Sequence, residues 1–361
     1  MTTNLYVLYG GKSAEHEVSL LTALTVLNAL DKQKYNVYPI YITKAGIWCS
    51  LGLLDHELTD VTELQAEHPD TRPAASIGNL LCKLFSEGTE QKVVLPVLHG
   101  TNGEDGTVQG LLELMDVPYV GNGVLSSAAG MDKVIMKDLF AQAGIPQTDY
   151  TALLQHEWQS DAERECLRIE GRIGYPCYVK PANLGSSVGI SRCDNRQDLC
   201  RAVHIALQYD RKLVIEKEVI GREIQLAVIG NDHPQCSVAG EFIKELDFFD
   251  YDKKYKSGRL IQQIPARLTD DIHSRLMDLS IQAFTALDGA GLMRVDFFVT
   301  DDNDIYINEV NTLPGFTKIS MFPTLWEKTN GTTYAQLIDK LIELALERHE
   351  RKQARNYRRD E

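Results

Sequence analysis

The residues with the most chemistry stand close together near the C-terminal end, in Arg294-Val-Asp-Phe-Phe-Val-Thr-Asp-Asp-Asn-Asp-Ile-Tyr-Ile-Asn-Glu-Val-Asn-Thr-Leu-Pro-Gly-Phe316. Apolar, β-branched and aromatic residues on either side of a cluster of turn formers are the pattern of a hairpin. With residues 301–304 as the turn, Thr300 pairs with Ile305, Asp296 falls opposite Glu309, and Arg294 opposite Asn311. Opposed side chains lie about 4.5–5.5 Å apart at Cβ, where like charges are destabilising. Two facing carboxylates therefore suggest a cation between them, and Asn311, on Glu309's face, adds a neutral oxygen. Such a set suits Mg²⁺, which keeps its remaining positions for water and nucleotide phosphates. A solvated acidic hairpin has the same residues. A calcium loop does not: Asp301-x-Asn303 begins like an EF-hand, but Ile305 stands where an oxygen ligand is required and no glycine follows. The following Pro314-Gly315 is a place where backbone can approach a ligand closely.

Two other stretches carry suitable residue types. Residues 175–180 read as a strand ending in Lys180 before Pro181, followed by Asn183-Leu-Gly-Ser-Ser-Val-Gly189 and a strand over 190–192. This is not a Walker A loop, since no Lys-Ser/Thr follows the second glycine. Its successive backbone N–H groups and hydroxyls can still cradle phosphate oxygens, as can those of an ordinary hairpin turn. His16, Glu17 and His99 fall at the carboxyl ends of predicted strands, where ligands gather in open parallel sheets. Taken singly, each also suits a capping or solvated position.

The elements that must position these groups follow from the pattern of apolar residues. A buried strand over 5–9 runs through Gly10-Gly11 into a helix with Leu20, Leu21, Leu24 and Leu27, for which Ser13 is the predicted N-cap. The layout lacks a G-x-G-x-x-G fingerprint. Strands are expected over 37–42 and 93–98, the second ending in His99 and followed by a helix from Thr107. Residues 50–90 show no readable pattern. One helix is expected over 125–143, up to the break Gly144-Ile-Pro146, and a strand over 213–215. Gly221 marks a change of domain, after which a strand over 224–229 pairs with one over 237–242. Residues 247–258, aromatic and charged with no period, suggest a lid or a disordered segment. A helix over 269–287, the hairpin, and a helix over 333–347 complete the chain. The class is α/β, α+β in parts, with an N-terminal open parallel sheet. The expected division is 1–125, 126–219 and 220–361, the last carrying a lid loop over 247–260 and the metal hairpin over 294–311.

At 361 residues the chain is long for one core. Its 43% hydrophobic and 24% charged content is ordinary for a soluble globular protein. No apolar run reaches the ~18 residues of a membrane span, and the N-terminus has no signal-peptide pattern. Seven scattered cysteines without C-x-x-C spacing read as reduced cytosolic thiols. A net charge of −14 weighs against nucleic-acid binding. Only the tail over 348–359 is basic, which suggests a solvated helix end.

Six motifs stand in consistent order between Leu5 and Leu346: Glu15-His-Glu-Val-Ser19, His99-Gly with Gly103-Glu-Asp-Gly106, Val179-Lys-Pro181 with Gly185-Ser-Ser-Val-Gly189, Asp252-Lys-Lys-Tyr255, Arg294-Val-Asp296, and Asn308-Glu-Val-Asn311 with Pro314-Gly315. In this order the chain resembles the D-alanine–D-alanine ligase family of the ATP-grasp superfamily. The resemblance implies a three-domain ATP-grasp fold and a cytoplasmic, homodimeric, ATP-dependent ligase of peptidoglycan synthesis that joins two D-alanines through an acyl phosphate. It implies that Asp296, Glu309 and Asn311 hold two Mg²⁺ ions, with Mn²⁺ as an alternative. Lys133 and Lys180 would contact the ATP phosphates, with Ser186 and Ser187 closing over them. Glu216 and the backbone near Lys217 and Val219 would hold adenine, and Glu223 the ribose. Arg294 and the Gly315 N–H would serve the oxyanion. Glu17, with His99 nearby, would hold the first D-alanine's ammonium. Ser320 and Lys254 would bind the second carboxylate. Glu17, Ser186 and Tyr255 would form a hydrogen-bonded link to the lid. Tyr255 and Met321 resemble the D-alanine type rather than relatives that use D-serine or D-lactate, which stay as alternatives beside a non-catalytic Mg-ATP module.

Overall fold

The fold is that of a computed structural model describing residues 3–66, 72–85, 91–243 and 261–356. Three sheets organise it. Strand β1 (Thr3–Gly10) carries no charged side chain and is buried along its whole length, as the centre of a parallel sheet requires. It pairs in parallel with β2 (Tyr35–Ile42) on one side and with β4 (Lys92–Pro96) on the other, while β3 (Trp48–Ser50) adds antiparallel to β2. Helix α1 (His16–Ala29) is pinned to the strand ends by Ser19, whose hydroxyl accepts from Gly10 N at 2.8 Å and donates to Val97 O at 2.6 Å. Ser13 does not cap it. Glu15 holds the N-cap position, and the Ser13 hydroxyl accepts from Glu15 N in the turn before. The patternless stretch after residue 50 contains a short 3₁₀ turn (Val61–Leu64) and α2 (Pro73–Phe85), and α3 (Thr107–Leu114) follows β4.

The helix expected over 125–143 is two helices, α4 (Val124–Met131) and α5 (Lys133–Gln142). Asp132 breaks it with a non-helical ψ of 102° and accepts from Val134 N and Ile135 N. A carboxylate at that position satisfies orphan donors and complements the helix dipole, and Asp132 also pairs with Lys212. The second sheet is antiparallel: β5 (Tyr150–Leu154), β6 (Cys177–Pro181), β7 (Ser191–Cys193) and β8 (Lys212–Lys217), in the order β5-β8-β6-β7. The short α6 (Gln155–Ser160) leads into α7 (Ala162–Arg172), which covers the sheet with α8 (Arg196–Ala206).

The third sheet joins β9 (Arg222–Gly230), β10 (Gln235–Cys236), β11 (Gly240–Ile243), β12 (Ile261–Gln263), β13 (Gly291–Val299) and β14 (Ile305–Asn311). The partner expected over 237–242 is split into β10 and β11. Both pair with β9, and in the gap the Ser237 hydroxyl accepts from Ala227 N. Helices α9 (Asp270–Ala286), α10 (Met321–Asn330) and α11 (Tyr334–Gln353) complete the described chain. Helix α11 runs past the expected end at 347, and its basic end is only partly solvated. Arg348 donates to Gly121 O and Tyr119 O, and Lys352 pairs with Glu113 at 2.7 Å.

In the hairpin, the turn is one residue longer than the expected 301–304. Thr300 N donates to Asp304 O, Asn303 is left-handed (φ 65°), and Val299 rather than Thr300 pairs with Ile305. Such a slip alone would turn every later side chain to the wrong face. A bulge between Asp296 and Phe297 absorbs it by leaving Asn308 unpaired, so that Asp296 faces Glu309 and Arg294 faces Asn311 as expected.

Buried Asn122 ties the first sheet's region to the third. Its Nδ2 donates to Leu292 O (2.6 Å) and Thr312 O (2.8 Å), and its Oδ1 accepts from Ala290 N (2.9 Å) and the Ser126 hydroxyl. Asn122→Ala strands three backbone groups, each worth roughly 1–3 kcal/mol when left unsatisfied. Urea unfolding should therefore show a loss of at least roughly 3 kcal/mol. A loss under roughly 1 kcal/mol would mean that water replaces the side chain.

Candidate active site

The site forms where the open ends of β13 and β14 meet the start of α5, the ends of β6 and β8, and the loops before α1 and after β4. Asp296 is buried, and it is not left facing Glu309 alone. Arg294 grips it with Nε and Nη2, each 2.7 Å from a carboxylate oxygen, and Asn311 Nδ2 donates to it at 3.2 Å. Burial raises the Asp296 pKa above the usual range, with Arg294 opposing. Glu309 instead lies 3.4 Å from Lys133 Nζ. Burial disfavours its charge too, but Lys133, Lys180 and Arg294 outweigh that and hold the carboxyl low. The opposed carboxylates are thus each neutralised by a different cation. Among the described residues no three His, Cys, Asp or Glu side chains gather as a metal site. The donor set is two carboxylates and an amide, all hard oxygens, which fits Mg²⁺ and gives nothing to a softer ion.

Behind this pair lies a buried layer of lysine and glutamate. Lys133 Nζ donates to Leu184 O at 3.0 Å. Lys180 Nζ lies 2.6 Å from Glu216 Oε2 and 3.5 Å from Asn308 Oδ1, so the bulge residue points into the site. Lys137, one turn after Lys133, lies 3.1 Å from Glu216 Oε1. Burial opposes the charge on Glu216, but Lys180 and Lys137 outweigh it and hold the carboxyl at about 2. At Lys137 burial wins over Glu216 and lowers the pKa. Lys217 ends β8 with its N–H bonded to Asp149 O and its carbonyl accepting from Thr148 Oγ1. Val219 lies just beyond, between β8 and β9, and Glu223 stands exposed on β9 opposite Phe298.

The expected contact between Glu17 and Ser186 is not formed. The Ser186 hydroxyl donates to Glu15, while Glu17 is exposed and pairs with Lys44 at 2.7 Å. The rotation of α1, set by Ser19, is the reason. It leaves the N-cap residue facing the glycine-serine loop and turns position 17 to solvent. Ser186 and Ser187 are both left-handed (φ 54° and 58°), a conformation costly outside glycine and typical of residues held for function. Glu15 is raised by burial and by Glu104, with Ser186 opposing. A Cβ added to Gly100 (φ 69°) would fall 2.6 Å from Glu15 Oε2, so a side chain there would strain the backbone and push the carboxylate aside. His99 is buried between Thr22 Oγ1 (3.2 Å) and Glu104 Oε1 (3.4 Å). His16 is a packing residue, bonded to Gly11 O and close to the Tyr41 hydroxyl.

On the far side, the Ser320 hydroxyl accepts from Thr317 N, and a Cβ on Gly315 would lie 3.3 Å from it. Met321 is buried in the core shared with the first sheet, so it shapes its surroundings through packing. Lys254, Tyr255 and the lid expected over 247–260 lie outside the described residues. Sequence reasoning overlooked Glu15, Glu104, Asn308 and Lys137 as contributors. The first three lie inside the family-like motifs, whose sequence does not show which way each side chain points. The last stands four residues after Lys133, a spacing that puts two side chains on one helix face.

Residues 4–122 match the family model described as D-ala D-ala ligase N-terminus, and residues 139–343 that described as D-ala D-ala ligase C-terminus. The D-alanine--D-alanine ligase of Bacillus licheniformis is 53% identical over 358 residues, covering 98% of each chain. Among solved structures, the D-alanine-D-alanine ligase from Coxiella burnetii superposes with a TM-score of 0.79 at 33% identity, over 98% of this chain and 97% of that one. The VanG D-Ala:D-Ser ligase from Enterococcus faecalis gives 0.78 at 31%, over 96% and 100%. With its three sheets and the charged site between them, this chain belongs to the D-alanine–D-alanine ligase family and has the ATP-grasp fold.

Proposed function

We propose that this protein joins two molecules of D-alanine at the expense of ATP, supplying D-alanyl-D-alanine for peptidoglycan precursors. The observation that carries the reading is the meeting of Asp296, Glu309 and Asn311 with Lys133 and Lys180, beside the Glu15–Ser186 contact. Phosphoryl transfer asks for positioning and charge neutralisation more than for covalent help. Lys133 and Lys180 supply both to the ATP phosphates, and Ser186 and Ser187 cover them. Asp296, Glu309 and Asn311 would hold Mg²⁺, which supplies charge neutralisation to the transferring phosphoryl group when bound. Glu216 accepts from the adenine amine, the chain near Lys217 and Val219 receives the rest of the base, and Glu223 the ribose.

The carboxylate of the first D-alanine attacks the γ-phosphorus, the bond to the bridging oxygen breaks, and ADP leaves. The amine of the second D-alanine attacks the acyl carbon, loses a proton and expels phosphate. The oxyanion formed on the way needs fixed donors. These are Arg294, whose Nη1 is not used by Asp296, and the Gly315 N–H. Glu15, in the place expected of Glu17, receives the first ammonium beside His99. Ser320 and Lys254 take the second carboxylate, and Tyr255 completes the link to Ser186. The domain division at 125 and 219 places each sheet in its own unit. A homodimer is part of the same reading and rests on the family resemblance. A cytoplasmic location is part of the same reading, supported by ATP as the proposed substrate. Among the described residues no helix is long and apolar enough to cross a membrane, and the net charge of −14 weighs against nucleic acid as a partner.

Phosphate release with D-alanine, D-serine and D-lactate as second substrates, with products identified by mass spectrometry, tests the whole reading. D-Alanyl-D-alanine should dominate. Dominance of another product would reassign the second substrate, and phosphate release independent of D-alanine would remove the ligase reading altogether.

Arg294→Lys keeps the charge but loses the planar fork. Turnover should fall about 10²–10³-fold with ATP affinity retained, the usual effect of losing one oxyanion donor. An equal loss of ATP affinity at unchanged turnover would move Arg294 to the nucleotide site.

Glu15 and Glu17 separate cleanly. Glu17→Gln should leave ligation near wild type, and Glu15→Gln should lower it about 10- to 100-fold, as for a lost hydrogen bond to a charged group. Because the folded-state pKa of Glu15 is raised, its ionised form costs stability at neutral pH, and the cost disappears as pH falls below the usual carboxylate range. The Tm of Glu15→Gln should therefore exceed wild type at pH 8, with the difference shrinking toward acid pH. The opposite order of the two variants would return the role to Glu17.

A further inference from the structure

Lys137 takes no part in the reading above, yet it is 1% exposed, one of the most deeply buried charged side chains in the protein. A lysine is almost never fully buried unless paired. Its ion-pair partner is Glu216, at 3.1 Å, with the Tyr150 ring centroid 5.5 Å away. The ammonium is in ion-pair range of Glu216 but makes no well-aligned hydrogen bond. Glu216 in turn stands between two cations, with Oε1 toward Lys137 and Oε2 toward Lys180. A packing role would be served as well by methionine, without desolvating an ammonium.

We propose that Lys137 is a positioning residue for purine recognition, holding Glu216 so that its carboxylate accepts from the 6-amino group of adenine without being drawn wholly onto Lys180. The geometry follows from α5. Lys133 and Lys137 are one turn apart on the same face, so one helix aims its first lysine at the phosphate side and its second at the base side. A carboxylate offers about four acceptor positions, and two lysine contacts leave room for an amine. With Lys137 removed, Glu216 has one cation left and swings toward Lys180. This costs the base its acceptor. The inference rests on the reading of Glu216 as the adenine contact.

The test compares kcat/KM for ATP and ITP, which differ at the purine 6-position, in wild type, Lys137→Met, Glu216→Gln and the double variant. Calorimetric titration with ADP serves as a readout apart from turnover. Lys137→Met should lower kcat/KM for ATP about 10- to 100-fold, as for a lost hydrogen bond to a charged group. ITP should change by less than about 3-fold, within the effect of an ordinary hydrogen bond. ADP affinity should fall with the ATP value, KM for D-alanine should hold, and the double variant should be no worse than Glu216→Gln alone, since coupled residues are non-additive. Equal losses for both nucleotides, or no loss, while Glu216→Gln narrows the ATP preference, would overturn the role of Lys137 and leave Glu216 standing. An unchanged preference in Glu216→Gln would overturn both. Should Lys137→Met fail to fold, Lys137→Gln, which keeps a donor and loses the charge, gives the same comparison.

Discussion

The site depends on one electrostatic constraint, that Asp296 and Glu309 are set opposite each other across a hairpin and cannot both be charged without compensation. The compensation comes from two directions. Arg294, two residues along the same strand, closes on Asp296, and Lys133, from a helix in another part of the chain, approaches Glu309. A like-charge pair that repels in isolation therefore becomes an attractive anchor between sheets. The pairs keep these groups oriented, but any cation or phosphate that enters must displace a partner from each pair it engages, which offsets part of the benefit of preorganisation.

Two local irregularities make that arrangement possible. The break at Asp132 starts a fresh helix at Lys133, so that Lys133 and Lys137 sit in its first turns instead of midway along a longer one. The bulge at Asn308 restores the register that the longer turn would have shifted, and brings Asn308 within reach of Lys180. Neither change is large, but without either, a lysine and a carboxylate would face away from each other.

The same region shows where stability is given up. Ser186 and Ser187 are held left-handed, and Glu15 is half-buried near another carboxylate, with a pKa raised as a result. Strain of this kind persists only where surrounding structure over-determines it. Here the surroundings are Gly100, which admits the carboxylate by having no side chain, and the Ser19 contacts that fix α1. Asn122 and the basic end of α11 hold the first sheet against the third, so these loops meet at a constant distance.

What the sequence determined by itself is local. The alternation around residues 301–304 was enough to mark the hairpin and bring Asp296 and Arg294 to the level of Glu309 and Asn311, but the expected pairs form only because the bulge at Asn308 cancels a longer turn that the pattern does not show. The six ordered motifs pointed to the family, because each is a contiguous run whose spacing survives translation into structure. What only the tertiary structure decided depends on contacts far apart in the chain. Glu15 and Glu17 are two residues apart and chemically alike, and the choice between them rests on how Ser19 bonds to Gly10 and Val97. Lys137 reads as a helix-surface lysine until β8 brings Glu216 against it. The basic end of α11 reads as solvated until Glu113 and the carbonyls of Tyr119 and Gly121 meet it. Periodicity tells which face of an element is apolar; it does not tell how the element is rotated against its neighbours, and that rotation selects the carboxylate that reaches the site.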